Sequence, residues 1–162
     1  MKRMLLALAF ASLAALPARS GVGGGCLFSD LSTADFGAGS GLLQPSVIGF
    51  GLNPSACTLE WKIDAPTCCN VLVSQHFLVV GTAQDPVGVK LGPPFFAGSA
   101  LHVGTPAFVL GPFAGQTGGV PLPPDPALVG NPLPVQGVVE FFTTIGLTVE
   151  YGMTQGVLLK MG

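Results

Sequence analysis

The sequence predicts an all-β fold, an antiparallel β-sandwich or partly open barrel of about seven to nine short strands behind a cleaved signal helix. Three observations carry that prediction. Beyond the amino-terminal twenty residues, no stretch shows the apolar period of about 3.6 that marks an amphipathic helix. Several runs instead alternate apolar and polar side chains with a period of two, spaced by about ten residues. The 24 glycines and 15 prolines cluster between those runs, where turns belong.

The chain opens on an export signal. Lys2 and Arg3 precede an uncharged run from Met4 to Leu16, and Ala18 and Ser20 put small side chains just before Gly21. That run is shorter than the roughly 20 helical residues a bilayer core requires, so no membrane span is expected. Residues 1–20 therefore read as a signal peptide, and the remainder as a secreted protein, extracellular or held at the cell surface after bacterial export. Lipidation at Cys26 is the alternative, but Gly23, Gly24 and Gly25 lack the leucine-like residue such a site prefers. Residues 21–46 form a Gly/Ser-rich segment with isolated apolar residues, expected to wrap a single all-β domain over 47–162 and to be tied to it by disulfide.

Charge narrows the partners. With Lys2, Arg3 and Arg19 removed, Lys62, Lys90 and Lys160 stand against eight carboxylates, three against eight, a net charge of −5. Three scattered lysines assemble no basic patch, which excludes nucleic acid and anionic membrane surfaces as partners. Charged residues make up 9% of the chain and hydrophobic ones 49%. A typical soluble domain carries about 25% charge, so this surface must be apolar and prone to association.

The four cysteines, Cys26, Cys57, Cys68 and Cys69, are an even set in an exported chain and read as two disulfides. A bond between the neighbours Cys68 and Cys69 closes a strained ring. Two connectivities remain: 26 to 68 with 57 to 69, or 26 to 69 with 57 to 68. Adjacent cysteines have the wrong spacing to grip a zinc ion, so no metal or cofactor site is expected. Asp30 and Asp35 lack the spacing of a calcium loop.

Val47 to Leu52 predicts a short strand before an Asn53-Pro54-Ser55 turn. In the strand after it, Leu59, Trp61 and Ile63 face inward while Thr58, Glu60 and Lys62 face water. Asp64 to Asn70 is a loop, and Val71 to Gly81 a long central strand. Asp85-Pro86 turns the chain into an edge strand from Val87 to Leu91. Gly92-Pro93-Pro94-Phe95-Phe96 is a loop whose aromatics serve either as a core plug or as an exposed binding platform. Leu101 to Val103 and Ala107 to Leu110 are short strands parted by Gly104-Thr105-Pro106, and Gly111 to Gly119 is turn-rich.

Pro121, Pro123, Pro124 and Pro126 then remove four backbone donors, so the chain must cross the surface between sheets. Ala127-Leu128-Val129 is expected to plug the end of the core. Ile145, Leu147, Val149 and Tyr151 alternate with Gly146, Thr148 and Glu150 as a strand with one buried face. A last strand runs from Thr154 to Met161, with Val157, Leu159 and Met161 inward.

Phe77-Leu78-Val79-Val80-Gly81, the corner Val120-Pro121-Leu122-Pro123-Pro124-Asp125-Pro126-Ala127-Leu128-Val129-Gly130 and Gln136 in the following strand carry a resemblance. Over residues 70–162 the chain resembles an uncharacterised family of secreted β-rich modules of planctomycete-type bacteria. The resemblance implies a secreted β-module. It implies no activity and no catalytic residue.

No combination of nucleophile, base and orienting group emerges. Ser74 and His76 share one face of a regular strand, but no Asp accompanies them, and His102 is expected, like His76, to be a packed histidine. Carboxylates for glycoside hydrolysis would have to come from Asp64, Asp85, Asp125, Glu140 and Glu150, most of them in turns or on wet faces. The sequence thus predicts a structural or adhesive interaction module without catalytic activity, binding itself or a cell-surface component. The alternative is a carbohydrate-binding sandwich that stacks sugars on Phe95, Phe96, Trp61 or Tyr151.

Overall fold

A computed structural model describes residues 26–40, 46–65, 67 and 70–162. The expected signal peptide, Cys68 and Cys69 lie outside the described residues. Among the described residues eight strands are formed: β1 (Leu31–Phe36), β2 (Val47–Asn53), β3 (Thr58–Asp64), β4 (Val71–Lys90), β5 (Ala100–Ala114), β6 (Thr117–Pro121), β7 (Leu133–Thr143) and β8 (Thr148–Met161). They build two antiparallel sheets, one of five strands in the order β1-β8-β7-β4-β5 and one of three in the order β2-β3-β6. The sheets face each other without closing into a barrel, so the all-β fold holds.

The core lies between them. From the small sheet come Ile48, Leu59, Trp61 and Ile63, and the alternation read along β3 matches its burial residue by residue. The large sheet answers with Leu78, Val80, Val135, Val139, Phe141, Val157 and Leu159. Each such side chain contributes about 1.5–3 kcal/mol when fully withdrawn from water. Trp61 packs edge-on against Phe113, with ring centroids 4.9 Å apart. Gly118 faces it from β6, and any Cβ there would collide with the indole ring.

Several local expectations are corrected. The amino-terminal segment does more than wrap the body, because β1 pairs with the last six residues of β8, from Gly156 to Met161. Asp85-Pro86 does not end a strand. The Asp85 carboxylate accepts the Val87 and Gly88 amides, so the kink is absorbed as an irregularity between Gln84 and Val89 while β4 continues. Likewise β5 continues through Gly104-Thr105-Pro106 as one strand, with Thr105 at positive φ and a register shift against β4 beside Pro106.

The Ala127-Leu128-Val129 plug is not a plug. Pro126–Leu128 forms a 3-10 turn capped by Asp125, none of its residues is buried, and Val129, itself exposed, bridges the backbone of Met161. The strand expected from Ile145 onward begins only at Thr148, and Ile145 and Leu147 stand in the turn between β7 and β8. Gly146 and Leu147 both have positive φ, which breaks the pleat that the alternation implied.

The disulfide pattern also differs. Cys26 bonds Cys57, which excludes both expected connectivities and occupies the sulfur that lipidation would need. The reason is topological: β1 runs along the end of β8, and the residues leading into it reach the turn between β2 and β3 that holds Cys57.

Candidate functional site

The face of the five-stranded sheet turned away from the core carries a row of polar and aromatic side chains across its strands. It begins with an irregularity in β4. Val73 pairs with Phe141 and Gln75 with Glu140, leaving Ser74 as an extra residue. A regular strand would send Ser74 and Gln75 to opposite faces; the bulge turns both side chains toward Glu140. Ser74 Oγ donates to Glu140 Oε1 at 2.5 Å and Gln75 Nε2 to Glu140 Oε2 at 3.0 Å.

From the other side, Tyr151 on β8, which pairs with Glu140, donates its hydroxyl to Glu140 Oε2 at 3.0 Å. Phe95 completes the row. The Pro94 to Phe96 segment attaches to the free edge of β8, with Phe96 N–H donating to Tyr151 O at 2.9 Å and Tyr151 N–H to Pro94 O at 3.1 Å. This brings the Phe95 ring to 5.5 Å from that of Tyr151, tilted by 41°.

Electrostatics follow from these contacts. Burial works to raise the Glu140 carboxyl, but the hydrogen bonds from Ser74, Gln75 and Tyr151 outweigh it and leave it below its ordinary value. The Tyr151 hydroxyl moves the opposite way, pushed up by burial first and then by its hydrogen bond to Glu140 and the negative charge there. At neutral pH the row therefore presents an ionised carboxylate held by neutral donors. Its arrangement suits holding a neutral polar group, with an apolar ring face beside it.

Next to this row lies an apolar one. Leu72, Phe142 and Val149 pair across β4, β7 and β8 on the same face, and the β7–β8 turn extends them with Ile145 and Leu147. Leu72 is 59% exposed, Ile145 69% and Leu147 74%. Together they make an uncharged apolar end to the large sheet.

Of the four aromatics expected as a platform, the structure brings together Phe95 and Tyr151 only. Phe96 turns to the other side of the sheet and packs on Phe141, with centroids 5.3 Å apart. Trp61 is buried in the core, 3% exposed, and its Nε1 donates to His76 Nε2 at 2.8 Å. His76 lies on the face opposite Gln75, apart from Ser74, because the bulge uncouples them. Its Nδ1 meets Gly115 O at 2.8 Å, and its ring stacks on Phe113.

His102 is equally enclosed: its Nδ1 faces Asp85 O and its Nε2 takes the Ala38 amide. The carboxylates of Asp85 and Asp125 accept nearby backbone amides, within β4 and at the 3-10 turn respectively. Among the described residues, no three metal-ligating side chains come together, and no helix is long and apolar enough to cross a membrane.

The sequence raised Ser74 beside His76 and Glu140 among the scattered carboxylates, but did not bring either together with Gln75. The available signal was the polar run Ser74-Gln75-His76 within Val71 to Gly81, and one carboxylate, Glu140, within Leu133 to Phe142.

The architecture is that of an all-β module with two sheets and an outward-facing polar and aromatic strip. No protein-family model, no curated protein and no solved structure matches the chain.

Proposed function

We propose that the chain is an exported adhesive module without catalytic activity, which associates with itself or with a cell-surface component through the apolar end of its five-stranded sheet. One observation carries this reading: Leu147 is 74% exposed with its backbone at φ 52°. A leucine in the left-handed region costs about 1 kcal/mol or more, which glycine or asparagine would not, and exposure recovers none of it. Folding alone therefore does not explain the residue, whereas contact with a partner does. Ile145, Leu72 and Val149 surround it with more apolar surface of the kind that marks interaction sites. The Cys26–Cys57 disulfide is consistent with an oxidising compartment outside the cytoplasm.

The test is the double variant Ile145→Ser/Leu147→Asn, compared with the parent by sedimentation velocity and by co-sedimentation with cell-envelope material. The expected result is an unchanged strand signal in circular dichroism, an equal or higher Tm, and loss of association. A variant that associates as strongly as the parent would remove the basis of the proposal.

A further inference from the structure

We infer that the strip formed by Gln75, Glu140, Tyr151 and Phe95 is a binding subsite for a neutral hexopyranose chain. This deepens the adhesive reading by naming a partner, and the two readings fail separately. Four segments distant in sequence converge to build the strip: the β4 bulge, β7, β8 and the Pro94 to Phe96 attachment. Neither the bulge nor the attachment is needed to continue the sheet, yet both aim side chains at the same line on its outer face.

The chemistry of that line matches a sugar on two counts. A pyranose has an apolar C–H face and a rim of hydroxyls. The half-exposed Phe95 and Tyr151 rings, 5.5 Å apart, offer the first a stacking surface. The second finds an ionised carboxylate oriented by three neutral donors, whose Oε1 accepts from only one of them and so retains a lone pair for a sugar hydroxyl. The Gln75 amide oxygen is a further acceptor beside it.

Charge selects the class. The one charge on the strip is the negative Glu140, and its hydrogen-bond partners Ser74, Gln75 and Tyr151 are all uncharged. An anionic polysaccharide would meet a carboxylate with no cation bonded to it. A neutral one meets only acceptors and rings. The apolar row of Leu72, Phe142 and Val149 runs alongside and supports contact with further sugar faces of an extended chain.

Affinity electrophoresis of the exported, oxidised protein through gels containing a soluble β-glucan, a galactomannan or a glucomannan tests the inference, with polygalacturonate as the anionic comparison. Retardation is expected by at least one neutral polymer and not by polygalacturonate. Phe95→Ala and Glu140→Gln should each weaken it by roughly tenfold, which corresponds to the loss of one good contact. Tyr151→Phe, which keeps the ring, should weaken it less. The emission of the buried Trp61 should stay unchanged in all three, which separates lost binding from lost folding.

No retardation by any of the three neutral polymers overturns the inference. So does equal retardation by polygalacturonate, or binding that survives both Phe95→Ala and Glu140→Gln. If the sugars fail while Ile145→Ser/Leu147→Asn still abolishes association, the adhesive reading stands and this subsite alone falls.

Discussion

The His76 ring has a single protonation state available to it inside the fold. Trp61 Nε1 can only donate, so His76 Nε2 must accept, and the proton sits on Nδ1 facing Gly115 O. A second proton would set two donors against each other in the core. Burial accordingly lowers the His76 pKa from its ordinary 6.5, opposed only in part by the Gly115 carbonyl. The sign follows directly. The unfolded chain takes up the proton as pH falls through about 6.5 while the folded chain refuses it, so stability is full above that pH and declines below it. Urea titrations from pH 7.5 to 5 should show this slope, and His76→Gln, which can accept from Trp61 and donate to Gly115, should flatten it. An unchanged slope in the variant would assign the pH dependence elsewhere. The sequence showed a histidine in an apolar strand, which is enough to predict packing. It did not show the partner, because Trp61 belongs to the other sheet and only the stacking of the two sheets brings them together.

Elements here are held in place by side chains that replace missing ladder bonds. Gln136 is fully buried on β7, and its side chain accepts from His102 N–H at 2.7 Å and donates to Ala100 O at 3.0 Å and Thr154 O at 2.8 Å. It thereby fastens the start of β5 to the face of β7 and β8. Gln155 does the same at the edge of β2, bonding both the N–H and the carbonyl of Ile48. Replacing Gln136 by Leu would strand three buried backbone groups, each worth about 1–3 kcal/mol when left unpaired. A loss of about 3 kcal/mol is expected in urea denaturation, with the His102 amide becoming fast to exchange. Unaltered protection at His102 would mean that the start of β5 is held by packing alone. The β7–β8 turn predicts the reverse effect. Leu147→Gly should raise stability by about 0.5–1 kcal/mol, since glycine accepts the positive φ without strain; a drop in Tm would show that Leu147 packs in the fold after all. These elements were only partly legible beforehand. Alternation located β3 and the end of β8 because both strands keep one face in the core. It failed from Ile145 to Val149, where apolar residues alternate through a turn to serve an exposed surface. The Ser74 bulge left no trace, since a register shift depends on the partner strand.

For the whole molecule, the Cys26–Cys57 bond links the lead of the large sheet to the turn of the small one across a sequence separation of 31. The core between the sheets is continuous, so the bond is not needed to define which faces meet. Its effect lies mainly in the unfolded chain, whose freedom it reduces. A closed loop of this length corresponds to about 3–4 kcal/mol in the chain-entropy treatment. The fraction of that stabilisation realised should be felt most by β1, which is an edge strand attached only to β8 and carries mostly exposed residues. The variant Cys26→Ser/Cys57→Ser should therefore still fold, with unchanged Trp61 emission, but with a midpoint lowered accordingly. Its urea m-value should rise, because an uncrosslinked chain exposes more surface on unfolding. Amides of β1 should lose protection before those of β4 and β7, which are paired on both sides. Equal stability with and without the bond, or loss of the β4 and β7 amides at the same rate as β1, would show that the two sheets are joined by the disulfide in a way that their shared core does not provide for.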